Sequence, residues 1–189
     1  AETATTLYQI GLLHLDKGEF DKSKDALDRC LKVRRQLFGN RHADVAEVLM
    51  AVGQLANDQG DYEQALDLMG QALAIQRATL GDMHSSVAET LNGLGRVQNV
   101  SGDLLAARAS FEKAYAIRRQ TLGDKHPDTA ASLNNLGMIY DALGDLPEAQ
   151  NHYEKALAIM LATIGEKSVV TAKVMMNLGE VCMSRKDMP

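Results

Sequence analysis

Five glycines stand 42 residues apart: Gly11, Gly53, Gly95, Gly137 and Gly179. This spacing constrains the fold more than any other feature, because a fixed period of such length means a stack of like units and not one closed core. The neighbours keep the same register. Four residues before each glycine stand Leu7, Leu49, Leu91, Leu133 and Met175; one residue before stand Ile10, Val52, Leu94, Leu136 and Leu178. Seven residues after come Gly18, Gly60, Gly102 and Gly144, with Lys186 where the pattern lapses. No reaction chemistry recurs along this ladder.

Each period reads as helix, tight turn, helix and short loop. In the second period Ala46, Leu49, Val52 and Ala56 mark one face of a helix. Gly60 ends it, since glycine takes a left-handed turn without steric cost. Asp61 follows as a helix cap with Gln64 three residues on, and Asp145 with Glu148 repeats the device. A second helix runs through Ala65, Met69, Ala72 and Ile75 and closes at Leu80-Gly81. A glycine inside a helix costs roughly 0.5–1 kcal/mol against alanine, so the ladder glycines need a packing reason. A small column (Ser23, Ala65, Ala107, Ala149) and a large one (Leu27, Met69, Phe111, Tyr153) supply it, with small facing large in each layer. The loops repeat as Phe38-Gly39, Leu80-Gly81, Leu122-Gly123 and Ile164-Gly165, followed by His42, His84, His126 and Ser168. His126-Pro127-Asp128 reads as a helix start.

The expected fold is therefore all-α: a solenoid of stacked antiparallel helix pairs with about nine helices. The expected units are 4–45, 46–87, 88–129, 130–171 and a partial fifth at 172–189, forming one array over 1–189. The pattern begins inside a unit and stops half-way through one, so a piece of a longer protein is expected. Composition agrees with helix packing: aromatics are 4%, tryptophan is absent and there are three prolines. A net charge of −5 argues against bulk attraction to nucleic acid or an anionic membrane. Cys30 and Cys182 lie more than three periods apart and read as small core fillers, which fits a reducing, cytoplasmic setting.

The columns Leu-x-x-Leu-Gly, then Gly-Asp-Tyr, Ala and Ala, carried by Leu49, Val52, Gly53, Ala65, Met69 and Ala72, resemble the tetratricopeptide repeat. The 42-residue length resembles the kinesin light chain subtype. So does Leu122-Gly123-Asp124-Lys125-His126-Pro127-Asp128-Thr129-Ala130, leading to Ser132-Leu133-Asn134-Asn135-Leu136-Gly137. The resemblance implies a right-handed superhelix and a non-enzymatic binding module whose concave groove is lined by the first helices. It places in that groove Tyr8; Glu47, Met50, Gln54 and Asn57; Glu89, Asn92, Arg96 and Asn99; Asn134, Met138 and Asp141; and Lys173 and Met176.

Over all the groove columns, Asp16, Glu47, Asp58, Glu89, Asp141 and Glu180 are acidic, while Arg96 and Lys173 are basic. The expected partner is a protein or peptide with basic residues and apolar anchors. Asn92 and Asn134 offer donor and acceptor together and are expected to hold its backbone. Asn135 and Asn177 either share that role or brace the neighbouring helix. Met50, Met138 and Met176 offer adaptable apolar contacts. The alternatives are a self-associating array, joined through an uncapped last unit, and a sensor domain of a larger signalling protein.

Other readings are weaker. The loop histidines are too widely spaced to share a metal, because stacked helices lie about 8–10 Å apart; capping a helix start is the expected role. Arg34, Arg35, Arg77, Arg118 and Arg119 are read as favourable charge at helix C-termini and not as a nucleic-acid edge. Asp16 and Glu19 are read as turn caps. No phosphate loop, His-Glu-x-x-His or nucleophile elbow occurs, so neither enzyme activity nor a cofactor is expected.

Overall fold

The computed structural model describes residues 2–186, with Lys186 described by its backbone alone. These residues form nine helices: α1 (Glu2–Asp16), α2 (Phe20–Phe38), α3 (Ala43–Asp58), α4 (Tyr62–Leu80), α5 (Ser85–Val100), α6 (Leu104–Leu122), α7 (Pro127–Ala142), α8 (Leu146–Thr163) and α9 (Val169–Lys186). No strand occurs among the described residues. The chain divides into two compact units, Ala1–Ser101 and Gly102–Pro189. In the first, α1 packs on α2 and α3 on α4, while α2 packs on α3 and α4 on α5. In the second, α6 packs on α7, α7 on α8 and α8 on α9.

The ladder glycines set the closeness of each pair. A Cβ at Gly11 would stand 2.6 Å from a methyl of Leu27. At Gly53 it would stand 2.8 Å from Cγ of Met69, and at Gly137 2.7 Å from the ring of Tyr153. Leu27, Met69 and Tyr153 are buried. The expected layers of small against large are thus present in both units. Gly179 differs: nothing lies within 4 Å of the position its Cβ would take. Small residues of α2 contribute hydrogen bonds where they are polar. Ser23 Oγ donates to the carbonyl of Gly11 at 2.8 Å, and Cys30 Sγ to that of Ala4 at 3.2 Å.

Helix ends follow the expected local chemistry. Gly60 has φ 83°, and the next N–H, of Asp61, returns to the Ala56 carbonyl. Asp61 Oδ1 accepts from the Gln64 N–H at 3.1 Å. Asp103 and Asp145 do the same for Ala106 and Glu148. Glu19 departs from the expectation of a cap, for it makes no side-chain cap. Its carboxylate instead meets His14 Nδ1 of α1 at 2.5 Å and Lys22 Nζ in the first turn of α2 at 3.2 Å. The hydrogen bond from His14 holds Glu19 below the usual carboxylate range.

The loop histidines do start the first helices. Nδ1 of His42, His84 and His126 accepts from the N–H of Asp44, Ser86 and Asp128 at 3.2, 3.2 and 3.1 Å. Ser168 Oγ takes the same place for Val170 at 3.2 Å. Accepting at Nδ1 leaves the ring proton on Nε2.

Candidate functional site

Each unit presents a wall of first helices. In the first unit α1 touches α3 and α3 touches α5; in the second α7 touches α9. The first wall encloses a pocket of about 350 Å³ in which four sequence-predicted residues meet: Tyr8, Glu47, Met50 and Glu89. Its lining also includes Gln76 and Leu80 of α4, with Asp44, His84 and Thr90. Met50 is held in place by a neighbour without a side chain, since a Cβ on Gly93 would stand 2.8 Å from its methyl.

Arg34 does not line this pocket but holds three residues that do, Tyr8, Asp44 and Glu47. It is 6% exposed. Its Nη1 donates to Glu47 Oε2 at 2.5 Å and to the Asp44 carbonyl at 2.6 Å, and its guanidinium carbon lies 5.0 Å from the Tyr8 ring centre. Burial, and then the charge of Glu47, pushes the Tyr8 hydroxyl well above its ordinary value, so it remains a protonated donor. This corrects the reading of the arginine column. Arg77 and Arg119 do stay at helix ends, paired with Asp82 at 3.1 Å and Asp124 at 2.6 Å. Arg34 and Arg118 instead turn to the first helix of the next pair. Arg118 Nη1 donates to Ser132 Oγ at 2.9 Å and to the Asp128 carbonyl at 3.3 Å. Gln76 fills the same column, and its Oε1 accepts from the buried Thr90 hydroxyl at 2.8 Å.

The other predicted residues of the first unit lie outside this pocket. Gln54 Nε2 and Asn57 Nδ2 both donate to Asp58 Oδ1, at 2.6 and 3.0 Å. Asn57 Oδ1 is buried without a partner among the described residues. Asn92 and Asn99 are half-buried on α5, and Arg96 is exposed.

The second unit holds a smaller pocket of about 310 Å³, lined by Met138, Asp141 and Ala142 of α7, Tyr153 of α8, and Asn177 and Glu180 of α9. Burial raises the Tyr153 hydroxyl, with Asp141 and Glu180 adding to it. Asn177 Nδ2 donates to Asn134 Oδ1 at 3.1 Å, and Asn134 Nδ2 points to Met138 Sδ at 3.8 Å. Asn177 therefore braces α9 on α7. Lys173 and Met176 are exposed on α9 and line neither pocket. No group of three or more His, Cys, Asp or Glu side chains suited to a metal occurs among the described residues.

Sequence reasoning missed the pocket residues Gln76, Leu80 and His84, which come from a second helix and a loop, and Arg34, which holds Glu47 and Tyr8 in place. The available signal was the 42-residue column Arg34, Gln76, Arg118. Its members are long polar side chains one turn before a helix end, able to reach forward to the next pair.

Helix pairs with glycine-seated knobs, capped at one recurring loop position by His or Ser and walled by first helices, define a helical-repeat solenoid. The chain belongs to the tetratricopeptide repeat family, whose profile matches residues 2–78 and 86–162. No curated protein matches the sequence. Among solved structures the chain is similar to BtubC (BKLC) from P. vanneervenii, with TM-score 0.86 and 22% identity over 98% of this chain and 75% of that one. It is also similar to a kinesin light chain-like protein of Podosopora anserina with nearly identical TPR-like repeats, with TM-score 0.81 and 21% identity over 96% and 86% of the two chains. The MamA protein follows at TM-score 0.60 and 22% identity over 98% and 89%. The fold is thus a tetratricopeptide solenoid of the kinesin light chain-like kind. Such repeats generally mediate protein–protein interaction and are generally non-catalytic. Among the described residues, no helix is long and apolar enough to cross a membrane.

Proposed function

We propose that the chain is a non-catalytic, cytoplasmic scaffold that works as one array and takes a segment of a partner protein along its first helices. The observation that carries this reading is the pocket where Tyr8, Glu47, Met50 and Glu89 converge. It combines carboxylates with an apolar wall, so a segment with basic residues and apolar anchors complements it. The second pocket, with Asp141 and Glu180 beside Met138, has the same character. Asn92 and Asn134 serve the partner's backbone, Asn134 with the capacity left beside its bond to Asn177. Gln54, Asn57, Arg96, Asn99, Lys173 and Met176 border the path. A peptide-display selection against the array tests this. Enrichment of basic-apolar sequences that is lost with Glu89→Gln/Asp141→Asn supports it, and enrichment indifferent to both changes removes it.

A second reading rests on α9. Ala172, Met175 and Gly179 are exposed there, whereas their counterparts Ala46, Leu49 and Gly53 are buried. This apolar face suits a copy of the same chain. Mass by light scattering that rises with concentration, and that Met175→Glu abolishes, favours self-association; a constant monomer mass excludes it.

A further inference from the structure

The pocket of the first unit asks for more than positive charge. Gln76 is 5% exposed and lines it. The Gln76 side-chain oxygen is taken by the Thr90 hydroxyl at 2.8 Å. Its Nε2 has no acceptor among the described residues. Nor is Nε2 sealed away from the cavity, since the buried side-chain atoms left without a partner are Asn57 Oδ1 and His152 Nδ1. An amide donor on a residue that lines the cavity, with its oxygen already taken, is open to an acceptor on whatever enters.

The rim asks for the opposite. Asp44, Glu47 and Glu89 border the cavity. The Arg34 guanidinium beside Glu47 is already engaged by Glu47 and the Asp44 carbonyl. Glu89 makes no ion pair among the described residues. An occupant that brings a cation to the rim and an acceptor to Gln76 complements both. A lysine or arginine side chain holds its cation a long stem away from its own backbone carbonyl. A side-chain amide carries the acceptor without charge, and a carboxylate is repelled. A polypeptide's amino terminus carries both, its ammonium and its first carbonyl sharing one residue.

We propose that this pocket receives the free amino terminus of the partner segment. The ammonium lies between Glu47 and Glu89, the first carbonyl accepts from Gln76 Nε2, and an apolar first side chain rests on Met50 and Leu80. At about 350 Å³ the cavity falls at the small end of ligand pockets, suited to a chain end. The inference rests on the groove-binding reading and gives it a direction: the bound segment starts in the first unit.

The test uses the full chain labelled at its methionine methyls and three pools of C-terminally amidated pentapeptides. The first pool is lysine-free with free amino termini, the second is the same pool acetylated, and the third is acetylated with one internal lysine. The first pool is expected to move the Met50 methyl resonance. Acetylation or Glu89→Gln is expected to weaken that binding about tenfold, as for the loss of one good charge contact. Gln76→Leu/Thr90→Val, which removes the donor with its buried partner, is expected to weaken it while circular dichroism stays unchanged. Equal binding by the acetylated pool, or stronger binding by the lysine pool, overturns the proposal, as does unaltered binding by the double variant. If Met138 and Met176 move but Met50 does not under any pool, the pocket proposal falls and the groove reading stands. If no methyl moves, both fall.

Discussion

A single missing methyl group decides how close two helices come in this chain. At Gly137 the space a Cβ needs is occupied by the Tyr153 ring, 2.7 Å away. Gly137→Ala is therefore expected to destabilise by about 1–3 kcal/mol through overpacking, although alanine is the better helix former. Gly179→Ala meets nothing within 4 Å and is expected to be neutral or to stabilise by up to ~1 kcal/mol. Urea midpoints of the two variants decide the matter; equal shifts would show that backbone propensity, not the knob, governs the column. His152 tests a different property of one residue. Its imidazole stacks on Tyr140, with ring centres 5.2 Å apart, and its Nδ1 is buried without a partner among the described residues. Burial lowers its pKa from the ordinary 6.5. The folded state thus binds this proton less readily than the unfolded chain, and stability falls as pH drops through about 6.5 and below. Urea midpoints between about pH 8 and about pH 5 should decline less steeply in His152→Gln.

Between elements, the decisive contacts run from one helix pair to the next. Arg34, Gln76 and Arg118 occupy one column, and each reaches the following first helix through a different bond. This explains how far the sequence could be read. Columns that repeat by shape, such as the glycines, their knobs and the capping histidines, revealed the helices and their pairing. Tyr8, Glu47, Met50 and Glu89 were legible because they share register positions on first helices. Arg34 and Gln76 were not, because their common role is forward reach and reach is served by chemically unlike side chains. Asn177 was ambiguous for a related reason, since an amide on an inner face serves a ligand and a neighbouring helix equally well. Its bond to Asn134 crosses from α9 to α7. A double-mutant cycle with Asn134→Ala and Asn177→Ala should give a coupling of about 0.5–1.5 kcal/mol. No coupling would return both residues to the ligand.

For the molecule as a whole, charge and architecture act separately. The net charge is −5, and both pockets are bordered by carboxylates. Affinity for a basic segment should fall several-fold between about 0.1 M and about 1 M salt, where the screening length shrinks from ~10 to ~3 Å. Isothermal titration at the two ends measures it; a salt-independent affinity would assign binding to the apolar contacts. Stability instead comes from layers, each satisfied by its neighbours. Arrays of similar modules face a hazard as they emerge from synthesis, because a helix can dock on the wrong copy of its mate. Here the residue seated on the ladder glycine is Leu27 in one layer, Met69 in another and Tyr153 in a third. A branched aliphatic, a flexible thioether and a flat ring do not fill one another's seats. Divergence at that position gives each of these three layers its own key, which disfavours docking on the wrong mate.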